Sequence, residues 1–319
     1  FLENAGVTLL KDVTKKPFMG FIEVVVRARS ILKSFAAVKK QILSTGATTV
    51  VLVDYPGFNL RMAKWAKAQG LRVVYYIPPK VWAWKSGRAQ ILKNECDAIL
   101  GILPFEQKWF ADRHIDYTYV GNPLAQKYTG VSAYASQGSV ALLPGSRSQE
   151  IGRLLPEFIA VAKAMPKQEF VLIRPESAVP VWPSLQIPEN ITVFTGELKD
   201  GMEQCSAALV CSGTATLEVA LMGVPQLVVY RANPVSLAIA KRFVKIRYIS
   251  LPNLILDTGA LPELLQEDAR AEALVERLVE LLADPSSQLD AYTKLLHVLE
   301  QKDPAATAAE HILTISSDA

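Results

Sequence analysis

The stretch VLVDYPGFNLRMAKWAKAQG, Val51 to Gly70, decides how the rest of the chain is read. Its first residues are apolar without interruption, then come Asp54, Pro56, Gly57 and Asn59, and then a helix-like segment that stops at Gly70. A run with no polar face reads as a strand covered on both sides, which is the habit of parallel sheets flanked by helices. Asp54 then falls at the carboxyl end of a parallel strand, on the rim where open α/β sheets hold ligands. A carboxylate there either caps the next helix or does chemistry. Asn59 is the better spaced cap for a helix beginning near Leu60, which leaves Asp54 free; position alone does not separate the two uses.

The pattern continues outward. TTVVLVD, RVVYYIP, DAILGIL and YTYVGNP are short Val/Ile-rich runs, with helix-like stretches after the first three, including one to about Ala68 and FEQKWFADR. Composition shifts to Thr, Gly, Ser, Ala and Gln between Tyr128 and Gly138, as in a linker. A second series follows: SVALLPGSR, a helix over about 150–165, EFVLIRP, ITVFTG, AALVCSG, a helix over about 214–222, and QLVVYR. Beyond Pro234 the sequence reads as mainly helical to Ile315. The expected fold class is α/β, with two Rossmann-like doubly wound domains facing a cleft at the carboxyl ends of their strands. The expected division is 1–135, 136–290, and 291–319 as C-terminal helices packing back on the first domain.

The 319 residues, 50% hydrophobic and 20% charged, suffice for two cores. A net charge of +3 from 34 basic and 31 acidic residues gives no case for nucleic acid. The surplus is local: residues 1–42 carry eight Lys/Arg against three acids. Cys96, Cys205 and Cys211 lack CxxC spacing and lie near apolar runs, which suits reduced thiols. His114, His297 and His311 have no metal-ligand spacing, so neither metal nor cofactor is expected. No apolar run approaches the roughly 18 residues of a membrane span.

Two turns promise anion binding. In LLPGSRSQEI, Leu142–Ile151, Gly145 allows close backbone approach, Ser146 and Gln149 have capping-box spacing, and Arg147 offers a charged fork beside the free N–H groups of a new helix. In CSGTATLEVALMGVPQLVVYR, Cys211–Arg231, the turn Ser212-Gly213-Thr214 opens another helix, with Glu218 one turn further on, where it could accept from ribose hydroxyls. Each turn alone is equally an ordinary capped helix; the pair suits a nucleotide diphosphate. Neither GxGxxG nor GxxxxGK[ST] is present, against dehydrogenases and kinases, and GxSxG is absent. Lys16–Leu43 combines apolar residues with five basic ones after Val26 and could lie in a membrane interface or pack as a core helix. In PPKVWAWKSGRAQIL, Pro78–Leu92, Trp82, Trp84, Lys85 and Arg88 suit a sugar or phosphate, or plain packing.

In order, FMGFIEV, VDYPGFN, PPKVWAWK, ILPFE, VGNPL, LLPGSRSQEI, SGTATLEVAL and SLPNLI resemble the lipid-A-disaccharide synthase family over nearly the whole chain. The resemblance implies a GT-B glycosyltransferase that joins UDP-2,3-diacylglucosamine to 2,3-diacylglucosamine 1-phosphate with inversion, releasing UDP. It implies Asp54 as catalytic base. It puts Gly145, Ser146, Arg147, Ser212, Gly213, Thr214, Ala215, Glu218 and Asn253 on the nucleotide side, and Phe18, Met19, Phe21, Ile22 and Val25 at the membrane or acceptor. It also implies a peripheral protein on the cytoplasmic face of the inner membrane, with a homo-oligomer left open. Three departures stand out: the family's first Gly-Glu-x-Ser-Gly-Asp segment precedes Phe1, so a first βα unit is expected to be missing; a common His is Asn122; a common Asp is Gly57. A sugar-nucleotide enzyme with a soluble acceptor and a non-catalytic UDP-sugar or lipid-binding homologue are the alternatives.

Overall fold

The computed structural model describes residues 6–8, 28–175, 186–233, 247–299 and 303–317. The proposed membrane-contact residues Phe18, Met19, Phe21, Ile22 and Val25 lie outside them.

Helix α1 (Ala28–Ser44) leads into β1 (Thr49–Val53), α2 (Pro56–Ala68), β2 (Arg72–Tyr76), α3 (Arg88–Glu95), β3 (Ala98–Gly101), α4 (Pro104–Ala111), β4 (Thr118–Tyr119) and α5 (Pro123–Lys127). The four strands pair in parallel in sequence order, β1-β2-β3-β4. Successive crossovers in one direction keep their helices on one face. Accordingly Leu60, Met62 and Ala66 of α2, Leu92 of α3 and Phe110 of α4 share one core with Val50, Leu52, Val73 and Tyr75. Phe35, Val38 and Ile42 of α1 join it, and the Lys39 ammonium lies over the Phe35 and Trp65 rings. The stretch 35–42 is therefore core-packed, with its lysine covering aromatic surface.

The second series begins with β5 (Tyr134–Leu143), so strand already occupies the end of the expected linker, and Tyr128 and Ala133 are buried in the second core. It continues through α6 (Ser148–Ala164), β6 (Phe170–Arg174), β7 (Ile191–Thr195), α7 (Leu198–Gly201), β8 (Cys205–Cys211), α8 (Thr214–Leu221), β9 (Gln226–Tyr230), α9 (Leu251–Leu256) and β10 (Glu263–Leu265). The all-parallel order is β10-β9-β8-β5-β6-β7. Sequence order runs one way from β5 to β7 and the other way from β8 to β10, so the topological switch lies between β5 and β8. That is where a doubly wound sheet opens its ligand crevice. Every residue of β8 is buried. Strand β10 lies in the tail expected to be helical: three residues are too few for a period, and Pro262 and Gly259 nearby read as a loop.

The tail divides between two cores. In α11 (Ser286–Leu299), after α10 (Ala271–Ala283), Tyr292, Leu295 and Leu299 pack on the second sheet's core. In α12 (Pro304–Ser317), Ala308, Ile312 and Ile315 pack on Val74, Leu100 and Val120 of the other face of the first sheet. The return to the first sheet therefore comes after Leu299, not near 290. Tyr119 marks the crossing by donating to the Leu299 carbonyl at 2.6 Å.

Candidate active-site cleft

The turns after β5 and β8, neighbours at the switch, open into one cleft of about 560 Å³. Gly145, Ser146, Arg147, Ser212, Gly213, Thr214, Ala215 and Glu218 all line it, and the loop after β2 supplies Lys80, Trp82 and Ala83 from the first sheet. Another hollow of about 570 Å³ beside β10, α10 and α11 is lined by Glu263, Asp268, Glu276, Glu280 and Asp284, with Arg277 its only Lys or Arg among the described residues. That charge repels a diphosphate, and the anion-ready turns are all in the first cleft.

Gly145 has φ +107°, and a Cβ there would lie 2.6 Å from Glu150 Oε2 and 2.8 Å from Glu150 Cβ. Both the backbone and the space demand glycine. The box expected from Ser146 and Gln149 is shifted by one residue, because α6 begins at Ser148. Glu150 takes that part: its carboxylate accepts from the N–H groups of Ser146 (3.3 Å) and Arg147 (3.4 Å) and from Arg147 Nη1 (2.7 Å). The turn that would receive an anionic ligand already holds a carboxylate, which an incoming diphosphate must displace or share.

At the second turn, Ser212 Oγ donates to the Ile249 carbonyl at 3.0 Å and its N–H to the Val229 carbonyl at 3.0 Å, which ties the strand end to the chain entering α9. Tyr128 donates to Glu218 Oε1 at 2.8 Å. Burial, with Glu218 adding to it, raises the Tyr128 pKa, so the phenol keeps its proton and the second carboxylate oxygen is left to accept from a ligand hydroxyl. Burial likewise pushes the Cys211 thiol, on the cleft floor, up to about 12, and it stays protonated.

Two expected site residues stand apart from this lining. Asn253 is fully buried: Nδ2 donates to the Leu261 carbonyl and Glu263 Oε1, and Oδ1 accepts from the Leu261 N–H, each at 2.9 Å. Its amide is taken up behind the wall, where it sets α9 so that Ile249, Leu251 and Leu254 face the cleft. Asp54 is exposed at the end of β1, outside the lining. Asp54 and Tyr55 are consecutive left-handed residues, with φ 46° and 43°. Such backbone costs about 1–3 kcal/mol per residue and persists only where its surroundings hold it. Here the Asp54 carbonyl accepts from Tyr75 Oη (2.7 Å) and Asn59 Nδ2 (2.8 Å), and its N–H donates to the Tyr76 carbonyl (3.0 Å). Asn59 is thus no cap: α2 starts at Pro56, and the buried amide pins the turn from inside the helix, also donating to the Val53 carbonyl.

A model of the lipid-A-disaccharide synthetase family matches residues 1–315. The chain belongs to that family. It is 34% identical to the lipid-A-disaccharide synthase of Trichlorobacter lovleyi over 94% of this chain and 83% of that protein. To the Pseudomonas putida synthase it is 32% identical, over 99% and 88%. Among solved structures, the glycotransferase of kitacinnamycin has TM-score 0.66 at 14% identity, covering 97% of this chain and 87% of that one. Spinosyn rhamnosyltransferase SpnG complexed with thymidine diphosphate has TM-score 0.61 at 16%, covering 90% and 79%. These likenesses show the fold, a GT-B arrangement of two Rossmann-like domains.

Of the two positions where this chain departs from the family's common residues, Asn122 has a structural account and Gly57 has none. Asn122 is buried and caps α5, accepting from the Leu124 N–H and donating to the Ile102 carbonyl. A Cβ on Gly57 would meet nothing within 4 Å, so no steric demand keeps glycine there. Glu150, Ile249, Leu251 and Leu254 are cleft residues that the sequence did not single out. Only Glu150 carried a signal, as an acid in the first turn of a helix. Among the described residues no group of three or more His, Cys, Asp or Glu could hold a metal ion, and no helix is long and apolar enough to cross a membrane.

Proposed function

We propose that the chain is a lipid-A-disaccharide synthase, which transfers the 2,3-diacylglucosamine of a UDP-sugar to the 6-hydroxyl of 2,3-diacylglucosamine 1-phosphate. The observation that carries the reading is the pairing, at one topological switch, of two anion-ready turns with Glu218, opposite Lys80 and Trp82 on the other domain. Family membership supplies the chemistry that this cleft would serve.

In this reading the diphosphate lies along the turns at Gly145–Arg147 and Ser212–Thr214, and Glu218 receives the ribose. The acceptor oxygen attacks the anomeric carbon from the face opposite the diphosphate. The C1–O6 bond forms as the C1–O(phosphate) bond breaks, UDP leaves with the electron pair, and the configuration inverts. Arg147 and the two turns stabilise the charge that develops on UDP. Asp54 takes the acceptor proton. Support for that role is its place at the end of β1, directly beside the strand whose following loop lines the cleft, in a left-handed turn whose carbonyl is fixed by Tyr75 and Asn59. The acyl chains make a membrane surface the natural source of both substrates, with the basic N-terminal segment toward anionic head groups.

The test is UDP release in detergent micelles from UDP-2,3-diacylglucosamine, with and without the acceptor. Acceptor-dependent release that falls roughly 10²- to 10⁴-fold in Asp54→Ala supports the reading. Release without acceptor dependence rejects the transferase, and an unaffected Asp54→Ala moves the base elsewhere.

A further inference from the structure

Glu106 is a buried acid that the reaction above does not use. It stands at the start of α4, only 2% exposed, and accepts at 2.7 Å from the indole Nε1 of Trp82. The Tyr117 hydroxyl donates to its other oxygen at 2.6 Å and also lies 3.1 Å from the Leu103 carbonyl. Tyr117 is in turn seated over Gly101, where a Cβ would fall 1.8 Å from the phenol oxygen. Phe105 meets the Trp82 ring edge to face, centroids 4.9 Å apart at 82°. Burying a carboxyl is costly, and an apolar side chain would fill this space without that penalty. What the acid adds is orientation of Trp82, the one tryptophan among the described residues that lines the cleft.

The two tryptophans of VWAW differ in what they offer. Trp84 is 47% exposed, carries Lys85 Nζ 4.8 Å above its ring, and is not part of the cleft lining. Trp82 lines the cleft beside Lys80, and its N–H is already committed inward. It therefore presents apolar ring surface and no donor. That suits the C–H face of a pyranose, whereas a phosphate would seek Lys80. The donor diphosphate has its own turns on the opposite domain, which leaves this wall to the other sugar.

We propose that Trp82 is the aromatic platform for the acceptor's glucosamine ring and that Glu106 is the positioning residue that holds its indole in place. This rests on the transferase reading above. It predicts a split between the two substrates. In Trp82→Ala the acceptor KM rises about tenfold, while the donor KM and kcat change by less than about twofold. Trp82→Phe, which keeps an aromatic face, stays within about threefold of wild type. Glu106→Ala reproduces the acceptor-specific rise. Glu106→Gln rescues it, because an amide can accept from the indole with its oxygen and donate to Tyr117 with its nitrogen.

A purely structural role would instead lower kcat for both substrates together through loss of folded enzyme. Should Glu106→Ala not fold, Tyr117→Phe removes one anchor of the acid and must show a smaller rise in the same KM. An unchanged acceptor KM in Trp82→Ala, or a rise confined to the donor, overturns the platform. A Glu106→Gln variant as damaged as Glu106→Ala overturns the positioning role. If the wild-type chain gives no acceptor-dependent UDP release, the transferase reading has failed instead. The platform is then judged by quenching of Trp82 emission, wild type minus Trp82→Phe, on titration with glucosamine 1-phosphate; no quenching overturns it.

Discussion

The Gly145–Arg147 turn and the Trp82 wall that faces it across the cleft are built on different length scales. On the second domain the turn at Ser146 and Arg147 is held by a near neighbour in the chain, Glu150, whereas Ser212 and Glu218 also draw on the distant Ile249 carbonyl and Tyr128 hydroxyl. On the first domain Trp82 is held by Glu106, Glu106 by Tyr117, and Tyr117 by the absence of a side chain at Gly101. Asp54 follows the same distant logic, with its carbonyl fixed by Tyr75. The Gly145–Arg147 turn is thus a strand-turn-helix device that forms locally, while Tyr128 and Ile249 join the second turn to the rest of the fold. The facing wall exists only when strands and loops tens of residues apart are in register, so damage there spreads further.

The largest effect should come from breaking the distant wall at its base. Gly101→Ala sets a methyl against the Tyr117 ring, with backbone on one side and a buried acid on the other, and should cost about 3 kcal/mol or more of stability. Urea unfolding followed by circular dichroism checks this; a loss below about 1 kcal/mol would mean that the tyrosine moves freely and that the network does not restrain Trp82.

Next comes the ionisation of Glu106. Burial raises its pKa from 4.5 to about 7, against the lowering effect of its hydrogen bonds from Tyr117 and Trp82 and of the Lys80 charge. The folded chain then keeps a proton that the unfolded chain gives up. The stabilisation from this group is complete below pH 4.5 and is lost as pH rises to about 7, in all about 3 kcal/mol relative to Glu106→Gln. Paired unfolding curves for wild type and variant at pH 5 and pH 7.5 read the difference, and a constant gap would show that the acid is already ionised.

The donor wall offers the smallest of the three. Arg147→Ala removes one charged fork but leaves the turn and its N–H groups, so kcat/KM for the UDP-sugar should fall about a hundredfold, near 2.7 kcal/mol, with stability unchanged. A comparable loss of stability would erase the distinction between a local and a distant wall.

Much of this molecule is legible in order along the chain. RVVYY and CSAALVC read as buried parallel strands because a largely apolar run favours cover on both faces, and the paired sheets follow; VLVD reads the same way, yet Val51 and Val53 of β1 are 40% and 50% exposed. PGSR and SGTATLE read as anion turns because glycine, capping residues and helix starts act within a few residues of one another. Asn253 and Asn59 were less accessible, since an asparagine's spacing tells nothing of whether its amide faces a ligand or a buried carbonyl. The short β10 was hidden for want of a period, and the shifted box at Glu150 by a helix start one residue off. Sequence alone thus determined the alternation of strands and helices, the family motifs and the donor turns, all products of local backbone chemistry. Tertiary structure alone decided that β5 and β8 are neighbours at a switch, that α12 covers the first sheet, and that Glu106 meets Trp82. Those depend on which distant surfaces can bury each other, and burial energy is set by contact in space, not by distance along the chain.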